Sequence, residues 1–188
     1  MNILDNAKGE LIPYDDPILT SPQEDWKFDE YPEEEAAKLG LLLIETSKKL
    51  TGAGLSANQI GLPYKVFALT PEESFGLPNM AMFNMEILES SEDTSTMTEG
   101  CLSRPNLWLM VNRPQVIKVK YFTFKGEEIK TTLNGYLSRV FQHEYDHMIG
   151  IDFTQRVSKM KLDRAITKMK KDAKKGKITQ VIRGNFNE

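Results

Sequence analysis

The feature that most constrains this chain is the run Gln142-His143-Glu144-Tyr145-Asp146-His147, which carries the only two histidines of the sequence. On an α-helix, residues four apart stack one turn above each other, so His143 and His147 aim their imidazoles at a common point. Such a point can hold a metal ion, and Glu144 lies where a carboxylate reaches a water at that ion rather than the ion itself. The flanks read as a complete helix: Asn134 as N-cap, Leu137, Val140, Phe141 and Met148 at helical spacing, and Gly150 just past the C-cap. The plainer reading of the same residues has one histidine packed and the other exposed.

A chain of 188 residues with 40% apolar content is sized for one globular domain, with room for an appendage. The longest strongly apolar run, Leu39 to Ile44, is too short to span a bilayer, and the N-terminus has acids where a signal peptide has a basic region. The expectation is a soluble, cytoplasmic protein with no membrane partner. The single cysteine, Cys101, excludes an internal disulfide and leaves a thiol free for a metal or for chemistry. Net charge is −3, yet Lys159 to Lys177 holds nine Lys or Arg against two Asp, so the rest carries about −10.

Residues 1 to 31, with Pro13, Pro17, Pro22 and an acidic cluster, read as an extended segment wrapping the domain. A helix follows, with Pro32 near N1, Glu33 to Glu35 in the first turn, Lys48 and Lys49 in the last and Gly52 just beyond. Its Leu39, Leu42, Leu43, Ile44 and Leu50 should face the core. Strands are expected at Tyr64–Thr70, Met80–Leu88, Leu107–Asn112, Val116–Phe124 and Glu128–Leu133, the last two joined by a Lys125-Gly126 hairpin turn. The fold class is therefore α+β, with mainly antiparallel sheets around the central histidine helix, an N-terminal helix and a basic C-terminal helix. The division expected is a catalytic domain over 1–157 and a basic helical tail over 158–188.

Two further segments carry chemistry. Gly52-Ala53-Gly54-Leu55-Ser56-Ala57-Asn58-Gln59-Ile60-Gly61 is either a C-cap and tight loop or a narrow segment along a substrate, with Gln59 as an oxyanion donor. It lacks the Lys-Ser or Lys-Thr of a phosphate loop. In Glu99-Gly100-Cys101-Leu102-Ser103 the cysteine is either a small buried hydrophobe or a third metal ligand beside two imidazoles. A thiolate favours iron, zinc, cobalt or nickel over magnesium or calcium.

GAGLSANQIG, EGCLS and QHEYDHMIG, in this order and roughly forty residues apart, resemble the three signature motifs of peptide deformylase, over about residues 10 to 156. The resemblance implies a deformylase fold and one divalent metal, natively Fe2+ with Zn2+, Ni2+ or Co2+ able to substitute, bound by Cys101, His143 and His147 with water as fourth ligand. It implies removal of the formyl group from the N-terminal formyl-methionine of nascent chains. Departures are Ser56, where the motif usually has alanine and a hydroxyl is added beside the substrate strand, and Trp108, in a region where some members have an arginine that holds substrate backbone.

In that chemistry Glu144 takes a proton from water and returns it to the departing amine, while the Gln59 amide and the Leu102 backbone N–H meet the developing oxyanion. Gly54 would let the substrate backbone pair with the glycine loop, and Gly100, beside the cysteine, is a further substrate-binding candidate. Tyr136, Arg139 and Val140 share the face of His143, which makes them candidates for the methionine pocket with Ala53 opposite; ordinary core packing is the alternative. Arg113 is a candidate partner for Glu99. Ser158 could cap a helix with an apolar stripe of Leu162, Ile166, Met169 and Ala173, closed by Gly176. The resemblance and its basic charge together suggest ribosome contact, against a merely solvated helix on an acidic body. Two rival functions share the motif: a zincin-like protease, which would want a further ligand downstream where no histidine exists, and a structural metal site, which would want a fourth protein ligand.

Overall fold

The computed structural model describes residues 4, 7, 9–71 and 77–176. Among these residues three α-helices and seven strands follow in order: α1 (Glu33–Lys49), β1 (Gly54–Ser56), β2 (Val66–Leu69), β3 (Met80–Ser90), β4 (Thr94–Cys101), β5 (Arg104–Pro114), β6 (Val116–Phe122), β7 (Glu128–Asn134), α2 (Gly135–Met148) and α3 (Lys159–Lys174). Strands β1-β2-β3-β6-β7 form a five-stranded sheet and β4-β5 a two-stranded ribbon, every pairing being antiparallel. This is the expected α+β class, with the histidine helix α2 between the sheet and the ribbon.

The large sheet has an apolar layer on each side. In β2 the run Val66-Phe67-Ala68-Leu69 is wholly buried, because side chains alternate across a strand and both faces are covered. Val66 and Ala68 join Leu39 and Leu43 of α1, Trp26 and Phe83 in one cluster. Phe67 and Leu69 join Val140, Phe141 and Met148 of α2 in another. A third cluster backs the ribbon: Cys101, Leu107, Leu109, Val111, Phe153 and Met169, with Val157, Leu162, Ala165 and Ile166 packed against it. Leu162, Ile166 and Met169 of the stripe expected on α3 thus pack against β5 and Cys101, joined by Ala165 and without Ala173. The boundary expected after residue 157 falls inside this shared cluster; residues 177–188 of the expected tail, and Lys177 of its basic run, lie outside the described residues.

Ser158 caps α3, accepting from Lys161 N, and Gly176 follows its C-cap. Residues of the N-terminal segment wrap the domain as expected, with Ile12 N donating to Gln59 O and Gln23 N to Met148 O. Asn134 occupies the N-cap of α2, although its side chain makes no capping bond. Gly150 adopts φ +73° after α2, where Ile151 N bonds Asp146 O and Gly150 N bonds His147 O, a Schellman ending.

Pro32 stands at the N-cap of α1, directly before N1 as expected. Several other expectations are corrected. Thr51, with φ +56°, takes the left-handed position after α1 that was expected near Gly52, and closes a Schellman motif in which Gly52 N bonds Ser47 O at 2.9 Å. Gly52 is needed for space instead: a Cβ there would lie 2.8 Å from Leu102 Cδ1. Leu50 lines a cavity rather than the core. The turn between β6 and β7 is longer than two residues, with Thr123 N bonded to Glu127 O and Gly126 at φ +76°. Strand β4 was not expected; its Thr94, Thr96 and Thr98 face solvent, so it lacks an apolar run and shows only a β-branched alternation.

Gly40 brings α1 against β3, since a Cβ there would sit 2.8 Å from Ala81 Cβ. Overpacking of this kind outweighs the better helix propensity of alanine, so Gly40→Ala should destabilise by about 1 kcal/mol. Urea unfolding should show that loss relieved when Ala81→Gly is added.

Candidate metal centre and active site

Strand β4 ends at Cys101 with an irregular register: Gly100 pairs with Trp108, but Cys101 pairs with Arg104 across a tight turn. The extra residues on β5 include Asn106 at φ +68°. A bulge of this type bends the strand and redirects its last side chain, and here it turns Cys101 toward α2. The ligand atoms of Cys101, His143 and His147 all lie within 4.8 Å of one another. His147 Nε2 is 3.3 Å from Cys101 Sγ, and the two imidazole rings are 5.4 Å apart, edge to face. A tetrahedral ion with Zn–S and Zn–N bonds of ~2.3 and ~2.1 Å needs its donors roughly 3.5 Å apart, so this set fits one.

Tautomer and orientation come from the residues behind. Glu99 Oε2 lies 3.1 Å from His143 Nδ1, which leaves Nε2 for the ion. The same carboxylate accepts from Arg113 Nε at 2.7 Å, Arg113 Nη2 at 2.9 Å and Arg139 Nη1 at 2.9 Å. Arg113 also pairs with Asp146 at 2.7 Å, and Asp146 is held by Arg156. Asn58 Nδ2 donates to His147 O at 3.0 Å, while the buried His147 Nδ1 has no partner among the described residues.

Charge follows this arrangement. Burial pushes the Glu99 carboxyl up, but the bonds from His143 and Arg113 outweigh it and hold the group well below the usual carboxylate range. Burial likewise raises the Cys101 thiol, and the two imidazoles bring it down to about 6, so a thiolate is present at neutral pH. Burial lowers His143, and Cys101 and Glu99 carry it well above its ordinary value.

A cavity of about 640 Å³ opens onto this centre. Cys101, His143 and Glu144 lie at its base with Gln59, Gly100 and Leu102; Ala53, Gly54, Tyr136, Arg139 and Val140 also line it. Every cavity residue singled out from the sequence is therefore brought to one place, and His147 sits behind the thiol. Gln59 is aimed by its own backbone: Oε1 accepts from Ser56 N at 2.9 Å in a capping box, and Nε2 donates to Ser103 Oγ at 3.0 Å and approaches Cys101 Sγ at 3.5 Å. Arg139 does not snorkel; its guanidinium bonds Glu99, Val111 O and Ser95 O while forming wall. Trp108, 64% exposed, lays its ring against Gly100, where a Cβ would meet Cζ3 at 2.8 Å. Ser56 does not point its hydroxyl at a substrate strand. It is fully buried and donates to Glu144 Oε2 at 2.7 Å.

Sequence reasoning missed Ser103, Asn58 and the Glu99–His143 contact. Glu99 opens the cysteine motif, but only the antiparallel register and the helix crossing bring it to a residue 44 positions away.

The Glu99 network makes a pH prediction. A carboxyl whose folded pKa is depressed contributes stability that is present above its unfolded value of 4.5 and is lost as the pH falls toward the folded value. The wild type should therefore lose stability below that pH, and Glu99→Gln should flatten the dependence while lowering metal affinity by about 10–100-fold. Denaturant titrations across acid pH and competition with a chelator would read both effects.

Comparison with known proteins comes from sequence and from fold. The profile of the polypeptide deformylase family matches residues 9–163. A peptide deformylase of Thermotoga petrophila is 36% identical over 149 residues, 79% of this chain and 86% of that protein. One from Agrobacterium fabrum is 34% identical over 165 residues, 87% of this chain and 95% of that protein. The crystal structure of a peptide deformylase from Synechococcus elongatus in complex with actinonin is similar with a TM-score of 0.76 and 28% identity, covering 87% of each chain. That of the Thermotoga maritima enzyme has a TM-score of 0.72 and 36% identity, covering 79% of this chain and 97% of that one.

Proposed function

Because the chain belongs to the peptide deformylase family, metal-dependent hydrolases that remove the N-formyl group from newly synthesised polypeptides, we propose that Cys101, His143 and His147 hold its metal and that Glu144 moves the protons. The observation that carries this reading is the convergence of one thiol and two imidazoles, with Cys101, His143 and the buried Glu144 carboxylate lining one cavity. The soft thiolate and two imidazoles suit Fe2+, with Zn2+, Ni2+ or Co2+ as substitutes. Such an ion, when bound, supplies Lewis acidity, which makes water acidic near neutral pH and polarises a carbonyl.

The chain's own groups do the rest. Glu144 takes the proton of the attacking water as its oxygen adds to the formyl carbon, and passes that proton to the amine nitrogen as the C–N bond breaks, releasing formate. The Gln59 amide and the Leu102 backbone N–H donate to the oxygen that gains charge, each donor being worth about 10²–10³ in rate. Gly54 and Gly100 leave room along the walls for an extended backbone, since a Cβ at either would crowd Glu144 or Trp108. Ala53, Tyr136, Val140 and the stem of Arg139 receive the methionine side chain.

The Cys101 ligand and the glycine loop have no role in a zincin-like protease, and a structural site would have no use for Glu144 or an open cavity. Glu144→Ala should retain metal and lose about 10²–10⁴ in the rate of formate release from a formyl-methionyl peptide. Undiminished turnover would remove Glu144 from the mechanism, and no formate from metal-loaded wild type would remove the deformylase reading altogether.

Among the described residues no helix is long and apolar enough to cross a membrane. We place the enzyme in the cytoplasm, where formylated nascent chains arise, with α3 touching the ribosome. The apolar stripe of α3 is spent on the domain, which leaves its lysines outward for a phosphate-rich partner. Ribosome pelleting should be stronger for full-length protein than for a charge-reversed variant carrying Lys168→Glu and Lys171→Glu, and the difference should shrink with added salt.

A further inference from the structure

We propose that Ser56 is a positioning residue that holds the Glu144 carboxylate in the orientation needed for proton transfer. The inference rests on the assignment of Glu144 as the base.

Strand β1 is only Gly54-Leu55-Ser56, and alternation sends Gly54 and Ser56 to the same face, toward α2. Both meet the same carboxylate. A Cβ on Gly54 would stand 2.7 Å from Glu144 Oε1, so the bare glycine makes room for that oxygen. Ser56 Oγ lies 2.7 Å from Oε2 and donates its proton there when the carboxylate is ionised. A second contact of Oγ, with the Glu144 carbonyl, is 3.4 Å and correspondingly weak.

The two carboxylate oxygens are thereby made unlike. Oε2 is tied to the strand, whereas no donor among the described residues reaches Oε1, which belongs to a residue lining the cavity. The proton from water enters and leaves at Oε1, and Ser56 prevents the group from rotating that oxygen away. A Glu side chain has three rotatable bonds, and the tie removes the freedom of the last. Glu144 itself is buried on the face of α2 that meets β1.

Ser56 is itself rigid. It is fully buried on a strand and closes a capping box with Gln59 over the next turn. One short segment of chain therefore orients two groups of the cavity: the Gln59 amide, whose Oε1 accepts from Ser56 N, and the Glu144 carboxylate, whose Oε2 accepts from Ser56 Oγ.

The test is steady-state kinetics on a formyl-methionyl peptide with metal content measured in every sample. Ser56→Ala removes one buried oxygen, so the chain keeps its fold. Misplacing a reacting group by an ångström costs up to about 10² in rate, and loosening it costs less, so kcat should fall roughly tenfold with KM within twofold and metal content unchanged. In a Glu144→Gln background, where there is no base to orient, the same substitution should change the residual rate less than twofold. A kcat for Ser56→Ala within twofold of wild type, beside a crippled Glu144→Gln, would overturn the proposal alone. So would a fall matched by lost metal, or an equal loss in both backgrounds. Wild-type turnover in Glu144→Gln would overturn the base assignment and the proposal with it.

Discussion

The Glu99 carboxylate is the joint on which this structure depends. It sits at the inward face of β4, almost sealed from solvent, and accepts from Arg113 on β5 and from Arg139 and His143 on α2. An isolated buried charge costs several kcal/mol, and here each charge is satisfied by others of opposite sign. Removing any one member leaves the rest buried and unmatched, at a cost of about 3–5 kcal/mol. The ribbon and the helix are consequently locked in one register, and that register brings Cys101 to the two histidines.

Around this joint the apolar layers do complementary work. The α2 helix is pressed onto the large sheet through Val140, Phe141 and Met148, which fixes its height and roll. Its C-terminal carbonyls are taken up by Asn58, Gln23 N and the Schellman bonds, so the turn bearing His147 does not fray. The ribbon is clamped from behind by α3, whose Met169 shares a cluster with Cys101. The metal ligands thus come from two elements, each braced on its far side.

The cavity is built from residues that are small where backbone must approach. Gly52, Gly54 and Gly100 each stand where a Cβ would strike Leu102, Glu144 or Trp108. Larger groups take the walls and the mouth, with Trp108 most exposed. A deformylase has to admit a flexible chain end while holding its acid–base group still, and the contrast between the open mouth and the packed floor meets both needs. Ser56 extends that floor by one hydrogen bond.

What the sequence by itself determined were the local and periodic features: the helix carrying both histidines, with Gly150 at its end; the capped basic helix; four of the strands of the large sheet; and three short motifs whose residue types name their chemistry. These follow from neighbours in the chain, where spacing of four residues or alternation of two decides which face a side chain takes. Only the tertiary structure decided the rest. It made β4 a strand through its pairing with β5, put Thr51 rather than Gly52 in the left-handed turn, and gave Glu99 to His143 and Ser56 to Glu144. The last two join residues 44 and 88 positions apart. No local pattern encodes such contacts, because they exist only when strand register and helix packing set the distance, and burial then makes an unpartnered polar group too costly to leave.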